Sequence, residues 1–241
     1  THPSINSDEF VFKIKKYNCD LFVSMSFNQI FRKNFFETPQ MNTINCHAGK
    51  LPFYRGRNIL NWALINDEKE FGITVHMVDE GIDTGDILKQ HVFEITDNDN
   101  YQTLLERSYV GCADILYETI KGLQSSSINK IKQSTIDEDG TYFVARGVGD
   151  ELLNWHQTSR EIFNFVRSIC QPGPMARTWL KDSEIKINKV EFLPHATKYI
   201  GVPGSVVGIN AHSFNVKTQD SYVKVTQWSS VGKIRIGDQL K

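Results

Sequence analysis

No apolar run in the 241-residue sequence approaches the roughly 20 residues that cross a bilayer, so no membrane span is expected. The opening residues, Thr1 to Asp8, are polar and lack the apolar core of a secretion signal, and a cytoplasmic location is the expectation. Cysteine is scarce. Cys19, Cys46, Cys112 and Cys170 lie far apart without a C-x-x-C pair, which argues against a disulfide framework or a cysteine zinc site and favours buried, reduced thiols. An excess of charge of one sign is also missing: 27 Lys+Arg stand against 28 Asp+Glu, a net charge of -1. Nothing in that balance draws the chain to nucleic acid or an anionic membrane surface. There is no internal repeat. What remains, 40% hydrophobic and 23% charged residues, is the composition of an ordinary globular protein of one large or two modest domains.

Along the chain, Asn6 to Tyr17 reads as a helix, with Asn6 or Ser7 as cap, acids directly after it, and Phe10, Ile14 and Tyr17 on one face. Short apolar runs at Leu21–Ser26 and Thr43–Cys46 suit buried strands. A helix is expected over Asn58–Asn66, an alternating strand over Ile73–Asp79, and a further strand over Ile87–Phe93 after the turns at Gly81 and Gly85. Tyr101–Leu123 is the longest helical pattern. This alternation predicts an α/β layer with a largely parallel sheet. The character changes after residue 146. Thr158-Ser-Arg-Glu161 is a capping-box pattern ahead of Ile162, Phe163, Val166 and Ile169, and Pro172-Gly-Pro174 ends that helix. The β-rich runs Glu184–Phe192, Ser205–Ile209, Ser213–Lys217 and Tyr222–Trp228 then predict a small β domain. Two domains are therefore expected, 1–146 and 147–241.

The stretch from Asn45 to Asp86 carries the chemistry. Asn45 and His47 lie two apart at the end of a strand and can point the same way. Asp83 sits in a glycine-flanked turn just after another strand, and ligand crevices form at strand carboxyl ends. Taken singly these are weak signals: N-x-H is common, and Asp-Thr-Gly-Asp is ordinary turn composition. His76, on the alternating strand, reads as structural or half-exposed. Lys50, Arg55 and Arg57 read alone as solvated charges. His47, Asp83 and Asp86 lack a metal-ligand spacing motif, so no metal is expected.

The conjunction is specific. Asn45-Cys-His47, Leu51-Pro-Phe-Tyr-Arg-Gly56, Phe71-Gly-Ile-Thr74 and Asp83-Thr-Gly-Asp86 follow in order without apparent gaps, and the segment resembles the formyltransferase family, whose members act on methionyl-tRNA or on sugars. The resemblance continues more weakly over nearly the full chain. It implies a Rossmann-like sheet and formyl transfer from 10-formyltetrahydrofolate to an amine, with Asn45, His47 and Asp83 catalytic. In that reading Asn45 donates to the developing oxyanion, and either His47 or Asp83 is the base. By position in the family, Met25 and Phe27 after the first strand, and Asp79, Gly81 and Ile82 in the turn, would hold the folate; Met25 and Phe27 read equally well as core residues.

Arg55-Gly-Arg57-Asn-Ile-Leu-Asn-Trp62, Thr84-Gly-Asp-Ile87, Leu153-Asn-Trp-His156 and Phe163-Asn-Phe-Val-Arg-Ser168 look like the sugar branch. The resemblance implies a nucleotide-linked 4-amino sugar as acceptor, dTDP-4-amino-4,6-dideoxyglucose first, for a surface polysaccharide such as O-antigen. Lys50, Arg55, Arg57, Trp155 and Arg167 are then the substrate contacts, and neither nucleic acid nor membrane is a partner. A homodimer is the default for a soluble enzyme. A UDP-sugar or methionyl-tRNA formyltransferase, a 10-formyltetrahydrofolate hydrolase and a non-catalytic nucleotide-sugar binder are the alternatives. Family members usually carry strand–helix units ahead of the region matching Asp8–Ser26. The expected sheet therefore lacks its first strands, and a fragment of a longer protein is the reading.

Overall fold

The computed structural model describes residues 4–230 and 232–241, and its chain divides into two compact units. The first comprises Thr1–Ile59, Glu70–Glu94 and Glu106–Ala145. The second joins Arg146–Lys241 to Leu60–Lys69 and Ile95–Leu105, two segments that a simple cut after residue 146 assigns to the first.

In the first unit, helix α1 (Asp8–Lys15) starts where the Ser7 hydroxyl accepts a hydrogen bond from the Phe10 N–H at 3.3 Å. Asp8 and Glu9 in its first turn and Lys13 and Lys15 in its last oppose the helix dipole. Strand β1 (Phe22–Met25), the one-turn helix α2 (Lys33–Phe36) and strand β2 (Thr43–His47) follow. Val11 of α1 and Phe35 and Phe36 of α2 form an apolar cluster to which Phe22 of β1 adds its ring.

After the short β3 (Arg55–Gly56) and helix α3 (Ile59–Ile65) come β4 (Glu70–Met77) and β5 (Ile87–Glu94), giving a sheet in the order β1-β2-β4-β5. Only β1 and β2 run parallel; β2–β4 and β4–β5 are antiparallel, so the largely parallel sheet expected from the alternation is corrected. For β4–β5 the cause is local: residues 78–86 make a glycine-containing connection that returns the chain beside the strand it left, whereas a parallel return needs a crossover of a dozen residues or more.

Helix α4 (Tyr101–Gln124) brings Gly111 so close to β4 and β5 that a Cβ there would stand 2.6 Å from Ile73 Cδ1 and 2.9 Å from the Phe93 ring. That contact covers the face carrying Cys46, Ile73 and Val75, and the opposite face is left for the polar residues. A two-residue strand β6 (Tyr142–Phe143) pairs in parallel with β3.

In the second unit, the capping box forms as the sequence predicts: the Thr158 hydroxyl accepts from the Glu161 N–H at 3.2 Å, and the Glu161 carboxylate from the Thr158 N–H at 2.8 Å. It opens helix α5 (Ser159–Ile169), whose Ile162, Phe163, Val166 and Ile169 are buried. They pack on an antiparallel sheet ordered β7 (Ala176–Leu180), β8 (Ser183–Glu191), β11 (Tyr222–Ser230), β10 (Ser213–Lys217) and β9 (Val206–Asn210). Strand β7 was not among the predicted runs; Arg177 and Trp179 alternate with buried Ala176 and Thr178, and Pro172-Gly-Pro174 in front masks the pattern.

Candidate active site

Strand β2 ends at His47, and its pleat sends Asn45 and His47 to one face. The antiparallel register sets His76 of β4 directly opposite Asn45, and Thr74 opposite His47. The turn after β4 supplies Asp83. Its backbone lies in the left-handed region (φ 55°), held there because the Gln133 side-chain amide donates to the carbonyls of Asp83 (2.7 Å) and Gly85 (2.8 Å). The Asp79 carboxylate closes the other side of the turn, accepting from the Gly81 N–H and the Thr84 hydroxyl.

The Asp83 carboxylate faces three side chains and one backbone donor. Its Oδ2 accepts from the Gly56 N–H at 2.9 Å and stands 3.6 Å from His47 Nδ1. Its Oδ1 stands 3.4 Å from both Asn45 Nδ2 and His76 Nε2. Burial pushes the carboxyl up, but the adjoining His76 and His47 rings and the Gly56 N–H outweigh it and hold the pKa at about 2. Asp83 is therefore an anion at neutral pH.

His47 is fixed from the other side. Its Nε2 lies 2.7 Å from the Tyr54 carbonyl, which only accepts, so Nε2 carries the hydrogen and Nδ1 presents its lone pair toward Asp83. Burial lowers the imidazole pKa, against the opposing pull of Asp83 and the Tyr54 carbonyl, so the ring is neutral at pH 7. Two glycines make this geometry accessible. A Cβ on Gly49 would stand 2.3 Å from His47 Nε2 and 2.4 Å from the Tyr54 oxygen, and one on Gly56 (φ 98°) would meet the Phe143 carbonyl at 2.2 Å. The set thus combines an amide donor, a neutral imidazole with a free nitrogen and a fixed anion, which suits moving a proton beside an oxygen that gains charge.

The structure brings Asn45, His47 and Asp83 together and adds two residues missed in the sequence. His76, read as structural or half-exposed, is 2% exposed and touches both Asn45 and Asp83. Gln133 is buried beneath the Asp83 turn, 50 residues away in sequence. His76 was legible in principle from its place two residues after Thr74 on the strand pairing with β2; Gln133 lies outside every motif.

The expected binding residues are placed as follows. Arg55 is buried rather than solvated: its Nε and Nη2 donate to Gln133 Oε1 at 3.0 and 2.7 Å and its Nη1 to the Asp139 carbonyl at 2.9 Å. Lys50 pairs with Glu70, and exposed Arg57 reaches the Asn28 carbonyl at 3.4 Å. Met25, Phe27 and Ile82 are exposed apolar side chains, so Met25 and Phe27 are not core residues; the register pairs Met25 with Cys46, which puts it on the face away from Asn45.

In the second unit, the Trp155 indole is buried and donates to Thr178 Oγ1 at 3.0 Å. Arg167, also buried, donates to Asn164 Oδ1 at 3.0 Å and the Thr96 carbonyl at 2.7 Å. Arg55, Trp155 and Arg167 are thus buried, with their polar atoms hydrogen-bonded inside their own units. Cys46, Cys112 and Cys170 are buried as expected; Cys19 is exposed. Among the described residues, no helix is long and apolar enough to cross a membrane.

Comparison with known proteins places this geometry. The formyl transferase model matches residues 2–119, and the model of the formyl transferase C-terminal domain matches residues 148–237. The methionyl-tRNA formyltransferase of Thermodesulfovibrio yellowstonii is 34% identical over 229 residues, 95% of this chain and 71% of that protein. The bifunctional polymyxin resistance protein ArnA of Wigglesworthia glossinidia brevipalpis is 29% identical over 94% of this chain, which spans 34% of that protein's length. Among solved structures, the sugar 3N-formyl transferase WlaRD, crystallised in the presence of dTDP and 5-N-formyl-THF, superposes with a TM-score of 0.70. Its identity is 25%, over 94% of this chain and 81% of that one. With its two matches covering both the Asn45–Asp83 region and the β-rich second unit, the chain belongs to the formyl transferase family of group-transferring enzymes.

Proposed function

We propose that this chain moves a formyl group from 10-formyltetrahydrofolate to the amino group of a nucleotide-linked 4-amino sugar, dTDP-4-amino-4,6-dideoxyglucose being the first acceptor to test. The observation that carries the transfer chemistry is the convergence of Asn45, His47 and Asp83: the Asp83 carboxylate stands 3.4 Å from Asn45 Nδ2 and 3.6 Å from His47 Nδ1, and the Tyr54 carbonyl holds the other ring nitrogen of His47.

When an amine adds to the formyl carbon, the formyl oxygen gains negative charge and the amine nitrogen must lose a proton. Asn45 Nδ2 supplies a hydrogen bond to that oxygen. His47 Nδ1 takes the proton, and Asp83 Oδ2, 3.6 Å away, stabilises the imidazolium that results. The proton then passes to the departing folate nitrogen as its bond to the formyl carbon breaks. Asp83 acts as orienter rather than base, since a carboxylate of such low pKa is a weak proton acceptor at neutral pH. The exposed apolar side chains of Phe27 and Ile82 are the surface offered to the flat ring of the folate.

For the acceptor, the near-zero charge balance supports a small molecule, because a tRNA partner requires a surplus of Lys and Arg for its phosphates. The similarity to WlaRD over both units supports a sugar. A second reading, methionyl-tRNA as acceptor, is favoured by the 34% identity to the Thermodesulfovibrio yellowstonii protein. The deciding experiment incubates the chain with 10-formyltetrahydrofolate and, in parallel, dTDP- and UDP-linked 4-amino sugars and charged methionyl-tRNA, followed by mass spectrometry. The sugar reading requires one added formyl group on a nucleotide sugar. Formylation of methionyl-tRNA alone overturns it, and free formate without any formylated amine replaces transfer by hydrolysis.

A further inference from the structure

We infer that His76 is a positioning residue of the formyl-transfer site, its ring fixing which way the Asn45 amide points and sharing the Asp83 carboxylate with His47. The inference rests on the proposed transfer chemistry.

The antiparallel register and the strand pleat put His76 on the same face as Asn45, one strand away, and the ring is almost wholly buried. Its Nδ1 lies 2.8 Å from the Met77 carbonyl and must carry a hydrogen to be there. That leaves Nε2 as the variable atom. It stands 3.2 Å from Asn45 Nδ2 and 3.4 Å from Asp83 Oδ1, and those two atoms are themselves 3.4 Å apart, so the three form a near-equilateral triangle.

An amide nitrogen has two hydrogens. With His76 neutral, Asn45 gives one to His76 Nε2 and the other to Asp83 Oδ1, and neither is free for the formyl oxygen. With Nε2 protonated, His76 donates to Asp83 Oδ1 itself, and Asn45 recovers a donor for the oxygen that gains charge. The ring thus has two hydrogen-bonding states, and they differ in whether the Asn45 amide is engaged or available. The ionisable groups facing it are Asp83 from the turn and His47 from β2, whose ring packs edge-on with centroids 6.4 Å apart; β5 contributes the aliphatic Ile87 as register partner. His76 is not assigned contact with substrate: it acts through Asn45 and Asp83.

A side chain that acts through Asn45 loses its influence when Asn45 is gone. His76→Phe keeps the bulk and removes both ring nitrogens, and kcat is expected to fall roughly 10- to 100-fold, part of the 100- to 1000-fold for losing an oxyanion donor outright. KM for both substrates should stay within about threefold, since the interaction belongs to the transition state. His76→Gln, whose amide N–H can donate to Asp83 Oδ1 in the place of the protonated ring and so leave Asn45 its donor, should recover about tenfold of that loss.

In the Asn45→Ala background, His76→Phe should cost no more than about threefold beyond Asn45→Ala alone. Fully additive losses, a loss confined to KM, or a Gln variant no better than Phe would overturn the inference.

If His76→Phe does not fold, the Gln variant and the native chain carry the test through nitrogen-15 imidazole spectra. The neutral His76 ring should appear as the Nδ1–H tautomer, and its Nε2 resonance should move on Asn45→Ala; an unmoved Nε2, or the opposite tautomer, refutes it. The two readings fail separately. A native chain that makes no formylated amine removes the transfer function, whereas an active one with an indifferent His76 removes only this role.

Discussion

Replacing Asp83 by Asn tests the electrostatic heart of the site, because it keeps the shape of the side chain and deletes its charge. In the native chain the carboxylate is ionised at neutral pH, with Oδ2 3.6 Å from His47 Nδ1. A full charge pair at that distance, at an effective dielectric near 20, is worth about 4–5 kcal/mol, or roughly three decades in rate if the imidazolium forms in the transition state. The substitution brings a second fault: if the new amide turns its nitrogen toward Nδ1, it donates to the lone pair that must take the amine proton. Together these give an expected fall in kcat of about 1,000-fold, with little change in folate binding.

The pH profile carries a sign as well. Asp83 raises the His47 pKa against burial, so its removal should lower that pKa further and shift the acid limb of kcat/KM to lower pH. Initial rates of tetrahydrofolate release from pH 5 to 9, alongside the formylated product by mass spectrometry, measure both. A rate within about fivefold of native, or an acid limb displaced upward, would refute the assignment of Asp83 as the anion that stabilises charged His47.

The remaining predictions follow from the same contacts. The folded Asp83 pKa of about 2 lies below the ordinary 3.8, so its stabilisation is fully present above pH 4 and lost as pH falls through 2. Asp83→Asn should flatten that part of the urea-unfolding profile by about 2 kcal/mol, and an unchanged slope contradicts the ionised carboxylate. Gly49→Ala puts a methyl group 2.3 Å from His47 Nε2 and 2.4 Å from the Tyr54 oxygen, well inside van der Waals contact, and should destabilise by roughly 1–3 kcal/mol while abolishing most activity. Gln133→Leu leaves the buried Arg55 guanidinium and the Asp83 and Gly85 carbonyls without partners; a loss of roughly 3 kcal/mol or more is expected by thermal unfolding. Thr158→Ala removes one arm of the α5 capping box, costs about 1 kcal/mol and leaves turnover unchanged.

Much of this was legible in the sequence because it is local. Asn45 and His47 share a face through a spacing of two, Thr158 and Glu161 cap a helix through a spacing of three, and Ser213–Lys217 forms the predicted strand to the residue. The parts that escaped are those in which distant segments meet. Strand direction is not encoded in alternation, which looks the same in parallel and antiparallel sheets, so the orientation of β4 against β2 was misread. His76 became a site residue only through that antiparallel register, which sets it across from Asn45. Arg55 reads as a solvated or substrate-binding charge until Gln133, 78 residues on, is seen to occupy its guanidinium. Its contribution to the site is indirect: it holds the amide that holds the Asp83 turn.

Transfer itself is tested most directly by following the one-carbon group. In a single turnover with excess enzyme, carbon-13 formyl-labelled 10-formyltetrahydrofolate and a dTDP-linked 4-amino sugar, the label should appear in an amide on the sugar nitrogen. His47→Ala should leave it on the folate. Label recovered as free formate, or sugar formylation at the native rate by the His47→Ala chain, would contradict the account.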